Sequence, residues 1–464
     1  MKITPYLPGM QMKKARAKFE KVKREEGITG LKKLFGHWLD LSPLESSVGR
    51  RKRVYDSTTT FLLFLLQILG GFSCADAVGL LIVSKAAKGK RGPSAKTGAY
   101  CQARKRLGIA ALREISSRLV RRLTGRSDGL DTLGFEAVVA DGTGEDMPDT
   151  ARNRRRYPTV SEKVVGTAFP QLRFEGLFDL FSGAAPDWRY GNHHLGEQRL
   201  WKRIMLNTKW LGKLLLADAY YCSFGNMVML IRKGAAFILP CKCNLTVIKC
   251  GGKRGDRDVM IKRPEMRAKS WNRTEWKSFP KHLRLRLIEV KIERRGFRPE
   301  KLRLLTNLRD RERYPAEKIV ALQQCRWAVE IDFRAIKITM GMDHLSGKSP
   351  AMIEREILLH MIAYNLVRAL MLDAACEADI PPERISFSRA VACTADMAHG
   401  VAAATNHRVV IRRLRAFYPD FLADCATQKQ VDRAEPRVVK RRPKSFPRMT
   451  KARHSYPQHL RQAA

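Results

Sequence analysis

The sequence predicts an α/β fold in which helices flank a mixed β-sheet. Between residues 135 and 243, three stretches typical of strands come in succession and then alternate with helices, which is the order of a mixed α/β layer. Residues 241 to 312 alternate apolar with basic side chains between glycine and proline turns, which predicts further strands. The segments on either side of this region follow helical periodicity.

The first 130 residues predict a basic region of short helices. The apolar run at 61–69 is too short to cross a bilayer and ends at a glycine pair, so we expect a buried helix. Arg104, Lys105 and Arg106 lie in a longer basic helical stretch that follows. Short basic helices joined by tight turns are typical of a helical DNA-binding domain, and the alternative is a solvated basic face.

The rest of the chain divides into four predicted parts. Residues 131–240 form the first part of the α/β core, and residues 241–312 form a β-rich insertion. Residues 313–375 return to the core with two apolar helices. Residues 376–464 form a C-terminal helical region and an extended arm that contains the basic segment PRVVKRRPK.

The chain is strongly basic along its whole length. Its 464 residues carry 88 Lys and Arg against 45 Asp and Glu, a net charge of +43. Such a surface repels itself unless a polyanion neutralises it, so nucleic acid is the expected partner. Ten cysteines without a paired framework, and an N-terminus without an apolar signal region, favour a cytoplasmic protein with no membrane partner.

Two apolar strands are predicted to end in an acid, at Asp141 in VVADGT and at Asp218 in LLLADAY. Acids at the carboxyl ends of neighbouring strands share the edge of the sheet where open α/β folds place their sites. Two carboxylates at such a short distance repel each other unless divalent cations bridge them. Oxygen ligands without a nearby set of His or Cys residues favour Mg²⁺ or Mn²⁺. The alternative for either acid is that it ends a strand or caps a helix.

The segment CRWAVEIDFRAIK, residues 325–337, is predicted to be one apolar helix with a charged line. At about 100° per residue, Arg326, Glu330 and Lys337 lie within roughly 40° of one another. Only the strip around Asp332 and Thr339 is then left for solvent. Glu330 can supply the third acid of a two-metal site that acts on a phosphodiester. The alternative is a salt-bridged stripe.

These motifs together resemble the insertion sequence 4 family of DDE transposases. The resemblance rests on DGTGEDMPDT, LLADAYYCSF and R-W-x2-E-x6-K, in this order, with similar flanking pieces such as SCADAV, YCQARKRL, LSGKSP and HMIAYNLVRALM. It covers roughly residues 55 to 450. The family signature is Y-x2-R-x3-E-x6-K, and here Gln323 occupies the tyrosine position while Arg326, Glu330 and Lys337 match in spacing.

The resemblance implies a fold, a reaction and a metal. The fold is an RNase H-like core interrupted by a β insertion between the second aspartate and the glutamate. Asp141, Asp218 and Glu330 hold two Mg²⁺ ions in that arrangement, with Mn²⁺ as the alternative. The reaction is strand cleavage and strand transfer at the ends of an insertion sequence, which moves the element by cut-and-paste transposition.

The resemblance also implies contacts with DNA. Arg326 and Lys337 grip phosphates near the cleaved end, and Gln323 retains a hydrogen-bond donor where the family has a phenol. Several relatives hold a flipped base on a tryptophan of the insertion; Trp271 and Trp276 are candidates by region only, with packing between strands as the alternative. The expected partners are double-stranded DNA, as terminal inverted repeats and as target, and a second copy of the chain in a synaptic dimer. The setting is the bacterial cytoplasm, at the nucleoid when DNA is bound.

Two other functions stay open on the sequence. One keeps the fold and the metals but makes the chain a nuclease or an inactive remnant of a transposase. The other is a basic DNA-binding protein without catalysis. The acids argue against the second, because a pure binding protein has no need of Asp141 and Asp218 at strand ends beside a cationic helix that carries Glu330.

Overall fold

A computed structural model describes residues 38–45, 53–86, 89, 91–124, 132–159, 168–242, 245–253, 255–292, 300–326, 328–394 and 455. The basic segment PRVVKRRPK and Trp327 lie outside these residues. Nine strands form one sheet in the order β3-β2-β1-β4-β5-β9-β8-β7-β6. The strands are β1 Glu136–Asp146, β2 Gln171–Asp179, β3 Asp187–Asn192, β4 Lys213–Leu216, β5 Ala236–Pro240, β6 Val247–Lys253, β7 Asp256–Lys262, β8 His282–Ile292 and β9 Glu300–Thr306.

Helices precede the sheet, interrupt it and follow it. In chain order they are α1 Ser42–Glu45, α2 Ser57–Leu69, α3 Cys74–Ala86, α4 Gly98–Arg106, α5 Ile109–Leu123, α6 Ala151–Arg156, α7 Glu197–Asn207, α8 Phe224–Arg232, α9 Arg273–Ser278, α10 Ala316–Cys325, α11 Ala328–Arg334 and α12 Pro350–Ala378. The predicted architecture, a large mixed sheet flanked by helices, is confirmed.

The sheet is mixed because β1, β4 and β5 run parallel while the other pairs are antiparallel. β1 pairs in parallel with β4 and antiparallel with β2, and β4 pairs in parallel with β5. The strands predicted for residues 241–312 do not form a separate sheet. They extend the same one, because β9 pairs antiparallel with β5. The insertion therefore continues the sheet away from the strands that carry the two aspartates.

Alternate residues of β1 enter two different cores. Ala137 and Val139 pack in the cluster that contains the buried residues of α11 and α12. Val138 and Ala140 pack in the cluster that contains those of α7 and α8. We call these two sides of the sheet the α12 face and the α7 face. Side chains on a strand alternate with period two, so this assignment fixes which face each later residue of β1 occupies.

The helix α12 fills the centre of the α12 face. It is 29 residues long and is buried along nearly its whole length. By length and composition alone it is long enough and apolar enough to cross a membrane, yet 94% of its most apolar window is buried inside the protein. It contacts α2 and α5 as well as the sheet side, so it is the core helix that joins the N-terminal helices to the sheet.

The N-terminal helices confirm one prediction and correct another. The apolar run at 61–69 lies in α2, which is a buried helix as expected. Arg104, however, is only 5% exposed. Its guanidinium lies 3.8 Å from the ring centroid of Phe64, and its Nη1 lies 2.9 Å from Sγ of Cys74. Arg104 therefore stabilises the helix cluster and does not face DNA, whereas Lys105 and Arg106 are exposed.

The segment CRWAVEIDFRAIK is not one helix. The helix α10 ends at Cys325, Arg326 lies in a turn, α11 begins at Ala328, and residues 335–339 form a π-helical turn. The predicted solvent-facing strip holds for Thr339, which is exposed, and is wrong for Asp332. Asp332 is buried and pairs with the buried Arg368 of α12, while Ile331 and Ile338 are 56% and 64% exposed. The distant arginine turns the helix so that the acid faces inward.

Candidate active site

β1 does not end at Asp141 as the sequence predicted. It continues antiparallel to β2 through Gly142↔Glu175 as far as Asp146↔Gln171. Its parallel pairing with β4 does end nearby, at Val139↔Leu216. Asp141 is therefore still paired with β2 on one side, whereas on the other side it lies beyond the last residue pair between β1 and β4. That position still places it at the edge where an α/β sheet opens.

Asp141 and Asp218 lie level with each other on the same face. Continuing the Val139↔Leu216 register by two residues on each chain sets Asp141 beside Asp218. Val139 and Leu216 both belong to the α12 face, so the two aspartates project there as well. The Oδ1 atom of Asp141 accepts the Gly142 N–H at 2.8 Å. That of Asp218 accepts the Tyr220 N–H at 2.7 Å and caps a short 3₁₀ turn, so the capping alternative also holds.

The helix α11 brings Glu330 to this face. Burial raises the pKa of Asp141, the Gly142 N–H lowers it, and the charges of Asp218 and Glu330 raise it further. The positive charge of Arg326 opposes them. Arg326 Nη2 lies 3.5 Å from Glu330 Oε1, so the salt-bridged alternative is also realised. The charges of Asp218, Glu330 and Arg326 therefore all act on Asp141.

Lys337, in the π-helical turn after α11, contacts β1 just beyond Asp141. Its Nζ donates to Thr143 Oγ1 at 2.8 Å and to the Gly144 carbonyl at 3.1 Å. Thr143 follows Asp141 by two residues, so both side chains lie on the α12 face about 7 Å apart. Going from Glu330 to Lys337, the chain thus follows β1 in the direction of the strand. In this structure Lys337 therefore binds β1 near Asp141.

The acids fit divalent cations without forming a closed metal site. Among the described residues, no group of three or more His, Cys, Asp or Glu side chains is already arranged to hold an ion. Burial raises the pKa of Asp141, and the negative charges of Asp218 and Glu330 raise it further. Hard oxygen donors that repel one another are the set that a hard divalent cation stabilises. Glu330, 40% exposed on its helix, has room to turn towards them.

A second buried acid, Glu145, lies at the far end of β1. Burial raises its pKa from 4.5 to about 8, Lys337 lowers it, and Asp343 and Asp146 raise it. The folded carboxyl keeps its proton to a higher pH than the unfolded one. Its contribution to stability is therefore complete below about pH 4.5 and is lost as the pH rises to about 8.

We expect Glu145→Gln to flatten the pH dependence of stability. Between pH 5 and pH 9 the free energy of unfolding should fall less for this variant than for the parent protein, because the amide has no proton to lose. Urea unfolding at several pH values measures the difference. Glu317→Gln, an exposed site on α10, should follow the parent curve. Equal slopes for Glu145→Gln and the parent would contradict the buried protonated carboxyl.

Gln323 contacts the protein and not solvent. It is 5% exposed, and its Nε2 donates to the Ala217 carbonyl at 3.1 Å. The expectation that it replaces a phosphate-contacting phenol is therefore corrected. The burial of α10 turns Gln323 towards β4, where it ties the helix to the residue just before Asp218. The sequence could not show this, because Ala217 lies 106 positions away.

Both candidate tryptophans are buried. Trp271 packs on α8, where a Cβ at Gly225 would lie 2.2 Å from its Nε1. Trp276 lies in the same cluster, with its ring centroid 5.6 Å from that of Phe279. Trp271 is 1% and Trp276 is 8% exposed. The packing alternative therefore describes both side chains, and the base-holding assignment is corrected.

Sequence reasoning missed one buried pair beside the aspartates. Glu175 of β2 is fully buried, and the Tyr221 hydroxyl donates to its Oε1. Burial raises the pKa of Glu175 to about 8, the Tyr221 hydroxyl lowers it, and Asp141 raises it. The signal was an acid, Glu175, in the middle of the largely apolar stretch FEGLFDLF, which also contains Asp179.

Part of the chain is similar in sequence to known proteins. Residues 192–366 match the family model described as a transposase DDE domain, a range that contains Asp218 and Glu330. The chain is 27% identical over 378 residues to the transposase InsG for insertion sequence element IS4 of Escherichia coli strain K12. That alignment covers 78% of this chain and 80% of the relative.

A solved structure was also matched. It is the cryo-EM structure of a piggyBac transposase synaptic complex with hairpin DNA, with a TM-score of 0.42 and 8% identity. The match covers 90% of this chain and 86% of that chain. Likeness at this level does not define a fold, and no argument rests on it. The transposase DDE domain and the identity to the IS4 relative support an IS4-type DDE transposase.

Proposed function

We propose that the protein is a DNA transposase that cuts and joins DNA strands at the ends of an insertion sequence by a two-metal reaction. One observation carries the proposal. Asp141 lies in β1, Asp218 follows the adjacent parallel strand β4 by two residues, and the charges of Asp218 and of Glu330 on α11 both act on Asp141. The transposase domain match and the similarity to the IS4 relative support this reaction class for the proposal.

In this proposal Asp141, Asp218 and Glu330 hold two Mg²⁺ ions, with Mn²⁺ able to replace them. The bound ions supply stabilisation of the charge that develops at the phosphodiester. The protein supplies position. The sheet fixes the two aspartates, and the ion pair of Asp332 with Arg368 fixes the helix that carries Glu330. An RNase H-like core is supported by the mixed sheet and by acids at its opening edge.

The same face offers cations for the DNA backbone. Arg326 lies beside Glu330, and Lys337 lies beside β1 near Asp141. Lys105 and Arg106 are exposed on α4 of the helical N-terminal region. We propose that these side chains contact phosphates of double-stranded DNA, as terminal inverted repeats and as target. A net charge of +43 supports a polyanionic partner.

Two copies of the chain are proposed to act together at two paired DNA ends, in the bacterial cytoplasm. A nuclease with the same acids remains the second candidate, because both reactions begin with cleavage of a phosphodiester. The two differ in their products. A transposase joins the freed 3′ end to a second DNA, whereas a nuclease leaves it free.

The experiment is a cleavage and joining assay. The protein is incubated with Mg²⁺, a target plasmid and a linear DNA that carries the terminal repeats flanking its own coding sequence. We expect nicking at the repeat ends and joined products, and neither with Glu330→Gln, because the amide is a poor ligand for a hard cation. Denaturing gels separate nicked from joined strands.

The control is Glu317→Gln, which makes the same chemical change at an exposed position of α10. It should cut and join like the parent protein. Cleavage without joining would favour the nuclease. Equal activity of Glu330→Gln and the parent would remove Glu330 from the reaction and with it the proposed metal site.

A further inference from the structure

The turn that follows Asp218 is held by side chains from several distant elements. Hydrogen bonds are accepted by the Tyr220 and Tyr221 carbonyls of the turn and by the Ala217 carbonyl just before Asp218. The donors and distances are Gln323 to Ala217 at 3.1 Å, Gln198 and Lys242 to Tyr220 at 3.0 and 2.8 Å, and Asn226 to Tyr221 at 3.0 Å. Ala217 and Tyr221 are buried, so water cannot satisfy their carbonyls and distant side chains supply the donors instead.

The deepest of these supports is the pair of Glu175 and Tyr221. The Tyr221 hydroxyl donates to Glu175 Oε1, and both side chains are buried. Glu175 also touches β1, because a Cβ added at Gly142 would lie 2.6 Å from Glu175 Oε2. The pair therefore joins the turn after Asp218 to the residue after Asp141.

Glu175 is costly as a packing residue. Taking a carboxyl group out of water costs several kcal/mol unless hydrogen bonds replace the water, and well-packed apolar residues often serve as well or better. Among the described residues, its Oε2 accepts no hydrogen bond. An acid retained at this expense beside two other acids has a role that packing does not explain.

That role is support and not metal binding. Cross-strand partners project to the same side of a sheet, so Glu175 shares the side of Gly142. Gly142 follows Val138 and Ala140 at the two-residue period and lies on the α7 face. Asp141 and Asp218 project to the α12 face. Glu175 thus lies behind the aspartates, on the opposite side of the sheet.

We propose that Glu175 and Tyr221 form a buried brace that positions Asp218 beside Asp141 and so sets the affinity of the acid site for divalent cations. The brace rests on the proposed function, because it has an effect only where the two aspartates hold ions. Its members are positioning residues that act through Asp218. Partners that orient metal ligands in this way typically change metal affinity by about 10- to 100-fold.

The test compares four variants of the full chain by two readouts. Tyr221→Phe removes the hydroxyl, Glu175→Leu removes the acceptor, and Glu175→Gln keeps a carbonyl that can accept the tyrosine. Tyr220→Phe removes a hydroxyl from the same turn without touching Glu175. Mn²⁺ affinity of the DNA-free protein is measured by electron paramagnetic resonance, and the Mg²⁺ dependence of cleavage is measured on the same samples.

We expect Tyr221→Phe and Glu175→Leu to weaken Mn²⁺ binding by about 10- to 100-fold and to shift half-maximal cleavage to higher Mg²⁺. Glu175→Gln and Tyr220→Phe should stay close to the parent. Thermal unfolding without metal shows whether each variant is folded. If Glu175→Leu does not fold, Tyr221→Phe alone decides.

Two results would overturn the brace. In one, Tyr221→Phe is folded and binds Mn²⁺ as tightly as the parent. In the other, Glu175→Gln loses affinity as much as Glu175→Leu, which would assign the effect to charge and not to the hydrogen bond. Failure of the proposed function is distinct, since the parent itself would then neither bind Mn²⁺ at the acids nor cut the DNA.

Discussion

Asp141→Asn should abolish strand cleavage while leaving the fold intact. A bound metal ion stabilises the transition state by several kcal/mol, and we take the loss of one ligand to remove about 4 kcal/mol of it. At 1.36 kcal/mol per tenfold in rate, cleavage should slow by about 10³-fold. The metal-free variant should also be at least as stable as the parent. Burial and the charges of Asp218 and Glu330 raise the pKa of Asp141, so its ionised form destabilises the folded state at neutral pH.

The measurement pairs single-turnover cleavage with urea unfolding in the absence of metal. Asp146→Asn is the matched control, because Asp146 lies on the same strand and its Oδ1 accepts from Gln171, a bond that an amide oxygen can keep. Asp146→Asn should cleave like the parent. Retention of activity within about tenfold by Asp141→Asn would refute its role as a metal ligand.

Asp332→Ala should destabilise the protein by about 3–5 kcal/mol, because it leaves Arg368 buried without its partner. Arg368 is 8% exposed, and its Nε also donates to the Tyr364 hydroxyl at 3.1 Å. The same pair anchors α11 on α12. We therefore expect cleavage to fall as well, because Glu330 loses the support that orients its helix.

Chemical unfolding of metal-free protein tests this expectation. The control is Glu114→Ala, which breaks the half-exposed pair with Arg118 on α5 and should cost less than about 1 kcal/mol. The double variant Asp332→Leu with Arg368→Met should recover part of the loss, because it removes both charges. A loss below about 1 kcal/mol for Asp332→Ala would mean that Arg368 finds another partner or water.

The local part of the site was predictable from the sequence. Apolar runs that reach an acid predicted Asp141 and Asp218 at neighbouring strands; Asp141 lies in β1, and Asp218 follows the adjacent parallel strand β4 by two residues. The extent of β1 was not predictable. Gly142 and Gly144 signal a turn locally, but pairing with β2 carries the strand on to Asp146. Strand propensity yields to cross-strand pairing of this kind, because pairing depends on a partner far along the chain.

The errors share one cause, which is a partner distant in sequence. Arg104 resembled a DNA contact because its partner Phe64 lies 40 positions earlier. Asp332 resembled a solvent-facing residue because Arg368 comes 36 positions later. The helical spacing of apolar residues continues without interruption across Arg326 and the π-helical turn, so it gives no sign of either irregularity. Helical periodicity predicts a face but not the tertiary contact that selects it.

The central claim is that Asp141, Asp218 and Glu330 together hold two divalent ions. Anomalous diffraction from crystals of the protein with its end DNA and Mn²⁺ locates those ions most directly. We expect two peaks about 3.5–4 Å apart between these three carboxylates. A complex that cuts its DNA but shows its Mn²⁺ peaks elsewhere, or none between Asp141 and Asp218, would contradict the claim.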